Sequence, residues 1–270
     1  TDMIISKMVG RDLTHRFPER SNVPGEVILK VEGLTSPHPK SFKNVSFELR
    51  KGEILGVGGL VGSRRTEVVE ALFGLRHLQS GKIYLHGKEV KIKNPRDAKK
   101  YHMALLTEER RTTGIFPMLN IVDNNTMASM MKYKNRVGLL NDLLRETDTK
   151  QGITSLRIKT PGTDTRIQSL SGGNQQKVLI SRWLNTAPDI LLLDEPTRGI
   201  DVGAKYEIYT IINRLASEGK SVIMISSEMS ELLGMSDRIM VMSNGIMEGI
   251  IDAKEATEEK IMELATAGLM

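Results

Sequence analysis

The stretch that decides the fold is Leu170-Ser171-Gly172-Gly173-Asn174-Gln175-Gln176-Lys177, which runs directly into the apolar residues Val178-Leu179-Ile180. The apolar run predicts a helix that begins near the two glycines. A serine and two glycines at a helix start leave backbone N–H groups uncovered, with the positive end of the helix dipole behind them. This stretch therefore predicts a phosphate-binding helix N-terminus.

A second stretch follows a short loop later and reads Ile190-Leu191-Leu192-Leu193-Asp194-Glu195-Pro196. Its apolar residues predict a buried strand, which ends in two carboxylates. In the functional interpretation, Asp194 holds Mg²⁺ through water and Glu195 polarises an attacking water molecule. The alternative is a capping pair beyond a buried strand.

A glycine-rich loop follows the apolar run at Val57 and reads Gly59-Leu60-Val61-Gly62-Ser63-Arg64-Arg65-Thr66-Glu67. Its context and Thr66 fit the P-loop template G-x-x-x-x-G-K-[ST]. Arg64 replaces the second glycine, where a long side chain crowds the approach to phosphate oxygens. Arg65 replaces the lysine with a wider, planar cation. We expect this loop to hold a nucleotide, with Thr66 near the metal ion; the alternative is an ordinary strand-to-helix turn.

Strands and helices alternate along most of the chain, which predicts an α/β fold around a mostly parallel sheet with helices on both faces. Early hairpins and the late turn at Asn244-Gly245 predict antiparallel additions at the sheet edges. Residues 1–25 are polar and aperiodic, so we interpret them as a linker or the tail of a preceding domain. Residues 26–270 form the main domain, with a helical insertion from about 115 to 170.

The composition excludes several classes of protein. The 270-residue chain contains no cysteine, which excludes disulfides and cysteine metal sites and is consistent with the cytosol. No apolar run reaches the roughly 20 residues that a membrane-spanning helix needs. The net charge of +5 comes from scattered basic residues without an aromatic platform, so we expect no nucleic-acid partner. Because the chain starts at Thr1 and not at methionine, we expect a fragment or a processed product.

The stretch at 170–177 and the carboxylate strand resemble the signature and Walker B motifs of the ABC-type ATPases. A longer run is similar to the second nucleotide-binding domain of the tandem ATPases that drive monosaccharide importers: Asp194-Glu195-Pro196-Thr197-Arg198-Gly199-Ile200-Asp201-Val202-Gly203-Ala204-Lys205. The linker Met8-Val9-Gly10-Arg11-Asp12-Leu13 resembles the junction between their halves. The resemblance implies a P-loop NTPase-type fold with an antiparallel β subdomain and an inserted helical subdomain.

The same resemblance implies cofactors, partners and a location. The cofactors are ATP and Mg²⁺. The partners are the N-terminal ATPase half of the same protein, membrane permease subunits and, indirectly, a sugar-binding protein. The location is the cytoplasmic face of the inner membrane, where the protein is peripheral.

In that family two such domains pair head to tail, and each ATP lies between the P-loop of one domain and the signature motif of the other. The residues that this chain would present to a partner's γ-phosphate are Ser171, Gly172, Gly173, Asn174 and Gln175. The loop from Gly59 to Glu67 would hold the chain's own ATP. Asp201 lies at the D-loop position, where it caps the next helix, touches a partner, or does both.

Two of the three catalytic positions in the chain's own site are altered. Glu195 keeps the position of the catalytic glutamate. Glu108 stands where most members have the Q-loop glutamine, and Ser227 stands where most have the switch histidine. Together with Arg64 and Arg65, these departures cluster in the site that this domain would own, whereas the signature residues are intact.

Our first hypothesis is a C-terminal ATP-binding domain of a sugar importer, which donates its signature in trans and hydrolyses its own nucleotide slowly or not at all. A rival hypothesis is a self-sufficient ATPase that homodimerises through the same surfaces. Two further alternatives are a nucleic-acid-associated ABC protein of repair or translation type, and a non-catalytic module that contacts a permease.

Overall fold

Strands and helices alternate as the sequence predicts. The computed structural model describes residues 16–268. Within that range the strands are β1 (Val27–Thr35), β2 (Val45–Arg50), β3 (Ile54–Gly58), β4 (Ser80–Leu85), β5 (Lys88–Val90), β6 (Met103–Leu106), β7 (Ile190–Asp194), β8 (Ser221–Ile225), β9 (Arg238–Ser243) and β10 (Ile246–Asp252). The α-helices are α1 (Arg65–Leu72), α2 (Pro95–Lys100), α3 (Ile121–Thr126), α4 (Asp142–Ser155), α5 (Gly172–Leu184), α6 (Val202–Ser217), α7 (Met229–Met235) and α8 (Glu258–Ala267).

The main sheet is mostly parallel, with the strand order β10-β9-β3-β8-β7-β6. β3 pairs in parallel with β8 and β9, and β7 pairs in parallel with β6 and β8. Helices α1, α2, α7 and α8 pack on its strands. Every residue of β3, β7 and β8 is buried, which is why these strands are continuous apolar runs in the sequence. The predicted α/β class is confirmed.

The last hairpin lies at one edge of this sheet. β9 and β10 pair antiparallel, with Ser243 opposite Ile246. The connecting residues Asn244 and Gly245 have φ angles of 47° and 83°. Two successive left-handed residues are typical of a type I′ turn, which matches the twist of the flanking strands. The hairpin predicted at Asn244-Gly245 is confirmed.

The early strands form a separate sheet and not an edge of the parallel one. This antiparallel sheet has the order β2-β1-β4-β5. Buried and exposed residues alternate along β2, so only one of its faces contributes to a core. The expectation that all hairpins extend the parallel sheet is therefore wrong for these four strands, although the antiparallel subdomain itself is as predicted.

The chain divides into two compact units. We define the helical unit as Glu109–Thr186, Thr197–Asn213 and the described residues 16–20. It contains α3, α4, α5 and three short turns: the π-helical Arg110–Gly114 and the 3₁₀ turns Met127–Tyr133 and Ile167–Ser169. We define the sheet unit as Ser21–Glu108, Ala187–Pro196 and residues 214–268, which contain both sheets.

The expectations about the linker and about membrane-spanning helices can be compared with the structure only over residues 16–268. Residues 1–15 of the predicted linker, including residues 8–13, lie outside the described residues, and the boundaries 26–270 and 115–170 stay predictions. In the described remainder of that linker, the ring of Phe17 lies 5.2 Å from that of Tyr209, centroid to centroid. Across residues 16–268, none of the helices has the length and apolar character needed to cross a membrane.

Candidate functional site

The carboxyl ends of four parallel strands gather the predicted site residues of the sheet unit. The glycine-rich loop follows β3, Glu108 follows β6, the pair Asp194 and Glu195 ends β7, and Ser227 follows β8. Because these strands are parallel, their carboxyl ends share one edge of the sheet, where open α/β sheets bind ligands. Glu108 is half-buried there.

Two glycines shape the loop after β3. Gly59 has a φ of 148°, and a Cβ built on it would lie 2.3 Å from the Met242 carbonyl oxygen. Gly62 has a φ of 85° and faces open space. Leu60 is half-buried, and Val61 is 97% exposed. The loop therefore needs glycine at position 59 and leaves room above position 62, as a phosphate-binding loop requires.

Arg64 has the backbone conformation of the glycine that it replaces. It precedes α1 with φ 73° and ψ 25°, which is left-handed. That conformation costs an ordinary side chain about 1 kcal/mol. The Arg64 guanidinium pairs with Glu67 one turn along α1, with 3.1 Å between Nη1 and Oε1. The loop thus keeps a P-loop backbone without the second glycine, and Glu67 holds the arginine against the helix.

Arg65 bonds to a residue beyond its own loop. Its Nη1 donates a hydrogen bond of 2.8 Å to the backbone carbonyl of Ser226, just beyond β8. Burial lowers the pKa of Arg65, and the nearby carboxylates Glu195 and Asp194 oppose that change. The cation that replaces the P-loop lysine is therefore engaged with the far strand and the acidic pair.

Asp194 carries an unsatisfied, buried carboxylate. It is 2% exposed, and its Oδ1 atom has no hydrogen-bond partner. Burial raises the pKa of Asp194 to about 6, a shift that a hydrogen bond with Thr66 opposes and the charge of Glu195 reinforces. A carboxylate and a hydroxyl are hard oxygen donors that suit Mg²⁺. No cluster of three or more acidic, histidine or cysteine side chains able to hold a metal occurs within residues 16–268.

Glu195 is held by the residue at the switch position. Ser227 Oγ donates to Glu195 Oε2 over 3.2 Å. Glu195 has a left-handed φ of 48° and is 8% exposed. Burial raises the pKa of Glu195, whereas Arg65 and Ser227 act in the opposite direction. The predicted catalytic residues Glu195 and Ser227 are thus brought together, in contact with each other.

The signature stretch lies in the helical unit, at the N-terminus of α5. Ser171 precedes the helix with an extended backbone and makes no capping hydrogen bond through its side chain. Its Oγ instead accepts a bond of 2.9 Å from the Asn174 side chain. Ser171 is exposed and Gly172 is half-buried, so the positive end of this helix is presented at a surface.

Close packing explains the two signature glycines independently of any ligand. A Cβ on Gly173 would lie 2.4 Å from the Ala204 Cβ of α6. A Cβ on Gly172 would lie 3.0 Å from Nη2 of Arg110. Gly173 is therefore required by the approach of α6 as well as by any phosphate.

The structure gives Gln175 another role than the contact with γ-phosphate that the resemblance implies. The side chain is 8% exposed. Its amide nitrogen donates to the Ile167 and Leu170 carbonyls at 3.2 and 3.0 Å. Its oxygen accepts from Arg110 Nε at 3.2 Å. With donor and acceptor both occupied inside the unit, the side chain holds the signature loop in place.

Asp201 caps α6, which is one of the two roles expected for it. Its Oδ1 accepts a hydrogen bond of 2.9 Å from the Ala204 backbone N–H. The side chain is exposed, so the other expected role, contact with a partner, stays a prediction.

Two buried cations of α5 were missed by sequence reasoning. Lys177 is 2% exposed; its Nζ lies 2.5 Å from Glu207 and donates to the Arg157 carbonyl at 2.9 Å. Arg182 donates to the Gly114 carbonyl at 2.6 Å. A lysine or arginine on an otherwise apolar helical face was the available signal, since long charged side chains are rarely buried without partners.

His38 and Phe42 lie upstream of the glycine-rich loop in the sequence, where they are candidates for an adenine contact, and the two differ in access. Phe42 is 1% exposed and belongs to the core, so it is not available to stack on a base. His38 lies in an exposed turn, where its backbone carbonyl accepts from Ser41 at 2.9 Å.

Relatives named for galactose import are similar to this chain over nearly all of it. The galactose/methyl galactoside import ATP-binding protein MglA of Clostridium tetani is 63% identical over 266 residues, which cover 98% of this chain and 53% of that protein. The protein of the same name from Escherichia coli is 56% identical over 268 residues, which cover 99% of this chain and 53% of the relative. The chain thus spans about half the length of the curated relatives it matches.

Solved structures and a family model agree on the fold. MJ1267, an ATP-binding cassette of an ABC transporter, is 20% identical with a TM-score of 0.75, covering 89% of this chain and 99% of that one. The dimeric ATP-binding cassette MJ0796 bound to ADP and Pi is 20% identical with a TM-score of 0.71, covering 84% and 99%. The family model "ABC transporter" matches residues 42–198, more than half of the chain. The chain therefore belongs to the ABC transporter family, and its fold is that of an ATP-binding cassette.

Proposed function

We propose that this chain is the C-terminal ATP-binding domain of a sugar importer's ATPase, of the galactose/methyl galactoside type. It donates its signature to an ATP that the N-terminal half binds. Its own site binds nucleotide and hydrolyses it slowly or not at all. Relatives about twice as long, named for galactose import, support the galactose type of the importer.

One observation carries the proposal: the alterations fall in one motif set and spare the other. The loop Gly59–Glu67 has arginines in place of the second glycine and the lysine, and Glu108 and Ser227 replace two further family residues. The signature from Ser171 to Gln175 is intact and begins a helix whose N-terminus is exposed. Random drift gives no reason for changes to separate in this way.

The geometry of the altered site supports nucleotide binding. The left-handed loop around Gly62 and the N-terminus of α1 suit phosphates. Thr66 and the unpaired oxygen of Asp194 would hold Mg²⁺, which when bound neutralises charge on the phosphates. The residues Leu60 to Arg65 complete the loop around them.

The same geometry supports slow hydrolysis. Glu195 must accept a proton from water to act as a base, and its Oε2 already accepts a hydrogen bond from Ser227. The Arg65 guanidinium already donates to the Ser226 carbonyl. Glu108 adds negative charge at the same sheet edge. Each feature opposes the stabilisation of charge that phosphoryl transfer needs.

Exposed apolar side chains in the helical unit support docking to a permease. The most exposed of these belong to residues 116–143 and are Phe116, Met118, Met131, Val137, Leu139 and Leu143. Large apolar side chains at a protein surface are commonly covered by a partner. Through such contacts the domain would lie at the cytoplasmic face of the membrane and act indirectly on a sugar-binding protein.

The test uses the full-length ATPase with its permease in membranes. We expect Ser171→Arg to abolish ATP turnover, because a long cation covers the helix N-terminus. We expect Arg65→Ala to leave turnover largely intact, because the altered site contributes little. If Arg65→Ala abolished turnover while Ser171→Arg left it normal, the assignment would be wrong.

The retained Glu195 favours a second candidate, a homodimerising ATPase that is complete in itself. ATPase activity of the isolated chain, measured against protein concentration, separates the two. Turnover that rises steeply as dimers form would support the second candidate, and negligible turnover at every concentration would support the first.

A further inference from the structure

A π-helical turn follows β6 in the sequence and packs on the signature helix. Residues Arg110–Gly114 begin two positions after Glu108. The Ile115 N–H donates to the Arg110 carbonyl at 2.9 Å, the bond to the fifth residue back that defines a π-turn. Such turns carry one extra residue and are frequent at functional sites.

The far end of this turn packs on α5. A Cβ on Gly114 would lie 2.9 Å from a methyl group of Leu179, so the backbone of the turn rests against the helix. The Gly114 carbonyl accepts from Arg182 at 2.6 Å. Positions 175, 179 and 182 lie on one face of a helix, which is therefore the face that meets the turn.

The near end of the turn reaches the start of the same helix face. Arg110 is 9% exposed, and its Nε donates to Gln175 Oε1 at 3.2 Å. Its Nη2 lies 3.0 Å from the point where Gly172 would carry a Cβ. The guanidinium thus packs against the first turn of the signature helix.

The third neighbour of Arg110 is the segment that leads to Asp201. Nη1 of Arg110 donates to the Arg198 carbonyl at 3.4 Å. The preceding residue, Glu109, pairs with the Arg198 guanidinium, with 3.5 Å between Oε1 and Nη1. One buried guanidinium therefore joins three segments that are far apart in the sequence.

We propose that Arg110 is a positioning residue for the signature motif. It fixes Gly172 and Gln175 relative to the backbone at Arg198, so that the helix N-terminus and the D-loop segment move as one body. This inference rests on the proposed function, because it concerns the motif offered to a partner's ATP. A planar guanidinium with several donors suits such a three-way contact, and an ammonium does not reproduce it.

The experiment measures ATP turnover of the full-length ATPase with its permease for Arg110→Ala, Arg110→Lys and the control Arg111→Ala. Arg111 is the exposed neighbour of the same charge. We expect Arg110→Ala to lower kcat about tenfold or more with KM for ATP unchanged, since a displaced group impairs the reaction more than binding. Arg110→Lys should recover part of kcat, and Arg111→Ala should match wild type.

A second measurement reports position directly. Hydrogen exchange of the backbone amides at 171–176 should speed up in Arg110→Ala, while exchange in β3 and β7 and the unfolding temperature stay near wild type. Unchanged kcat, or a loss that tracks a general loss of stability, would overturn the inference. If Ser171→Arg left turnover normal in the same assay, the proposed function itself would fail. If Arg110→Ala left turnover normal while Ser171→Arg abolished it, the inference alone would fail.

Discussion

The signature region and the glycine-rich loop region are built in opposite ways. At the start of α5, small residues meet close neighbours, and buried cations have partners: Gly173 touches Ala204, and Lys177 pairs with Glu207. In the loop region, which we take as residues 59–67 together with Asp194 at the end of β7, Arg64 has a strained backbone, and Asp194 keeps a buried oxygen without a partner. The first motif is stabilised by its surroundings. The second costs the fold free energy, as ligand sites commonly do.

This comparison predicts the sign of mutational effects. Substitutions in the signature region should destabilise the chain even where local propensity favours them. Substitutions that remove backbone strain or an unpaired buried charge in the loop region should stabilise it.

The largest effect is expected for Gly173→Ala. Alanine normally favours a helix over glycine by about 1 kcal/mol. Here its Cβ would overlap Ala204, so we expect a loss of about 3 kcal/mol in the free energy of unfolding, measured with urea. Ala204→Gly in the same chain should restore part of it. Gly172→Ala is the matched control, since the nearest atom to its Cβ would lie at 3.0 Å, against 2.4 Å for Gly173. Equal losses for both glycines would contradict the packing argument.

The next effect concerns the pair of Lys177 and Glu207, whose side chains are 2% and 44% exposed. Glu207→Gln leaves a buried ammonium without its counter-charge, and we expect a loss of about 2 kcal/mol, reduced by the exposure of the glutamate. Lys177→Met leaves only a partly solvated carboxylate and should cost less. Chemical denaturation of both variants decides, and a larger loss for Lys177→Met would show that the hydrogen bond of the ammonium to the Arg157 carbonyl, not its pair with Glu207, dominates.

In the loop region, Asp194→Asn should stabilise the nucleotide-free chain. The raised pKa of Asp194 means that folding disfavours its ionised form. Removing that charge should add about 1.5 kcal/mol to the free energy of unfolding at pH 8 in chelator. The gain should begin to shrink as the pH falls through about 6, where the folded wild-type carboxyl starts to bind a proton, and should vanish near its ordinary pKa of 3.8.

Asp189→Asn is the control for that change, since Asp189 is exposed and pairs with Lys220. It should give no gain. Added Mg²⁺ and ATP should raise the unfolding temperature of wild type and not that of Asp194→Asn. A stability loss in Asp194→Asn would mean that the carboxylate is satisfied in solution.

The smallest effect is expected for Arg64→Gly. Glycine adopts the left-handed conformation without strain, so we expect a gain of about 0.5 kcal/mol after the loss of its pair with Glu67. Arg64→Ala removes the pair but keeps the strain, and should lose stability slightly. The unfolding temperatures of the two variants should therefore move in opposite directions. Movement in the same direction would show that the ion pair with Glu67 contributes more to stability than the backbone strain does.

Local patterns were sufficient to predict much of this fold. The buried strands β3, β7 and β8 are visible as apolar runs, and Asn244-Gly245 identifies a hairpin because few other residues adopt its turn. Motif order was sufficient to identify the glycine-rich loop, the acidic pair and the signature. Each of these signals is contained within about ten neighbouring residues, so it can be seen in a single sequence.

Contacts between distant residues could not be predicted in this way. Nothing near Arg110 indicates that its partners are Gln175 and the Arg198 carbonyl. Arg65 is visible as a substitution, but its bond to the Ser226 backbone depends on strand order in the sheet. The separate sheet of β1, β2, β4 and β5 was misplaced for the same reason, since hairpin signals do not say which sheet a hairpin joins.

The π-turn at Arg110–Gly114 also limits how this chain can change in length. Removing one residue from it would yield an ordinary helical turn and rotate the following backbone by about 100°. Gly114 would then leave Leu179, and Arg110 could no longer reach Gln175. An exposed side chain within the turn, such as that of Arg111, can be exchanged alone, but an insertion or deletion would disrupt the contacts at both ends of the turn at once. Among relatives, spacing should therefore be better preserved here than identity.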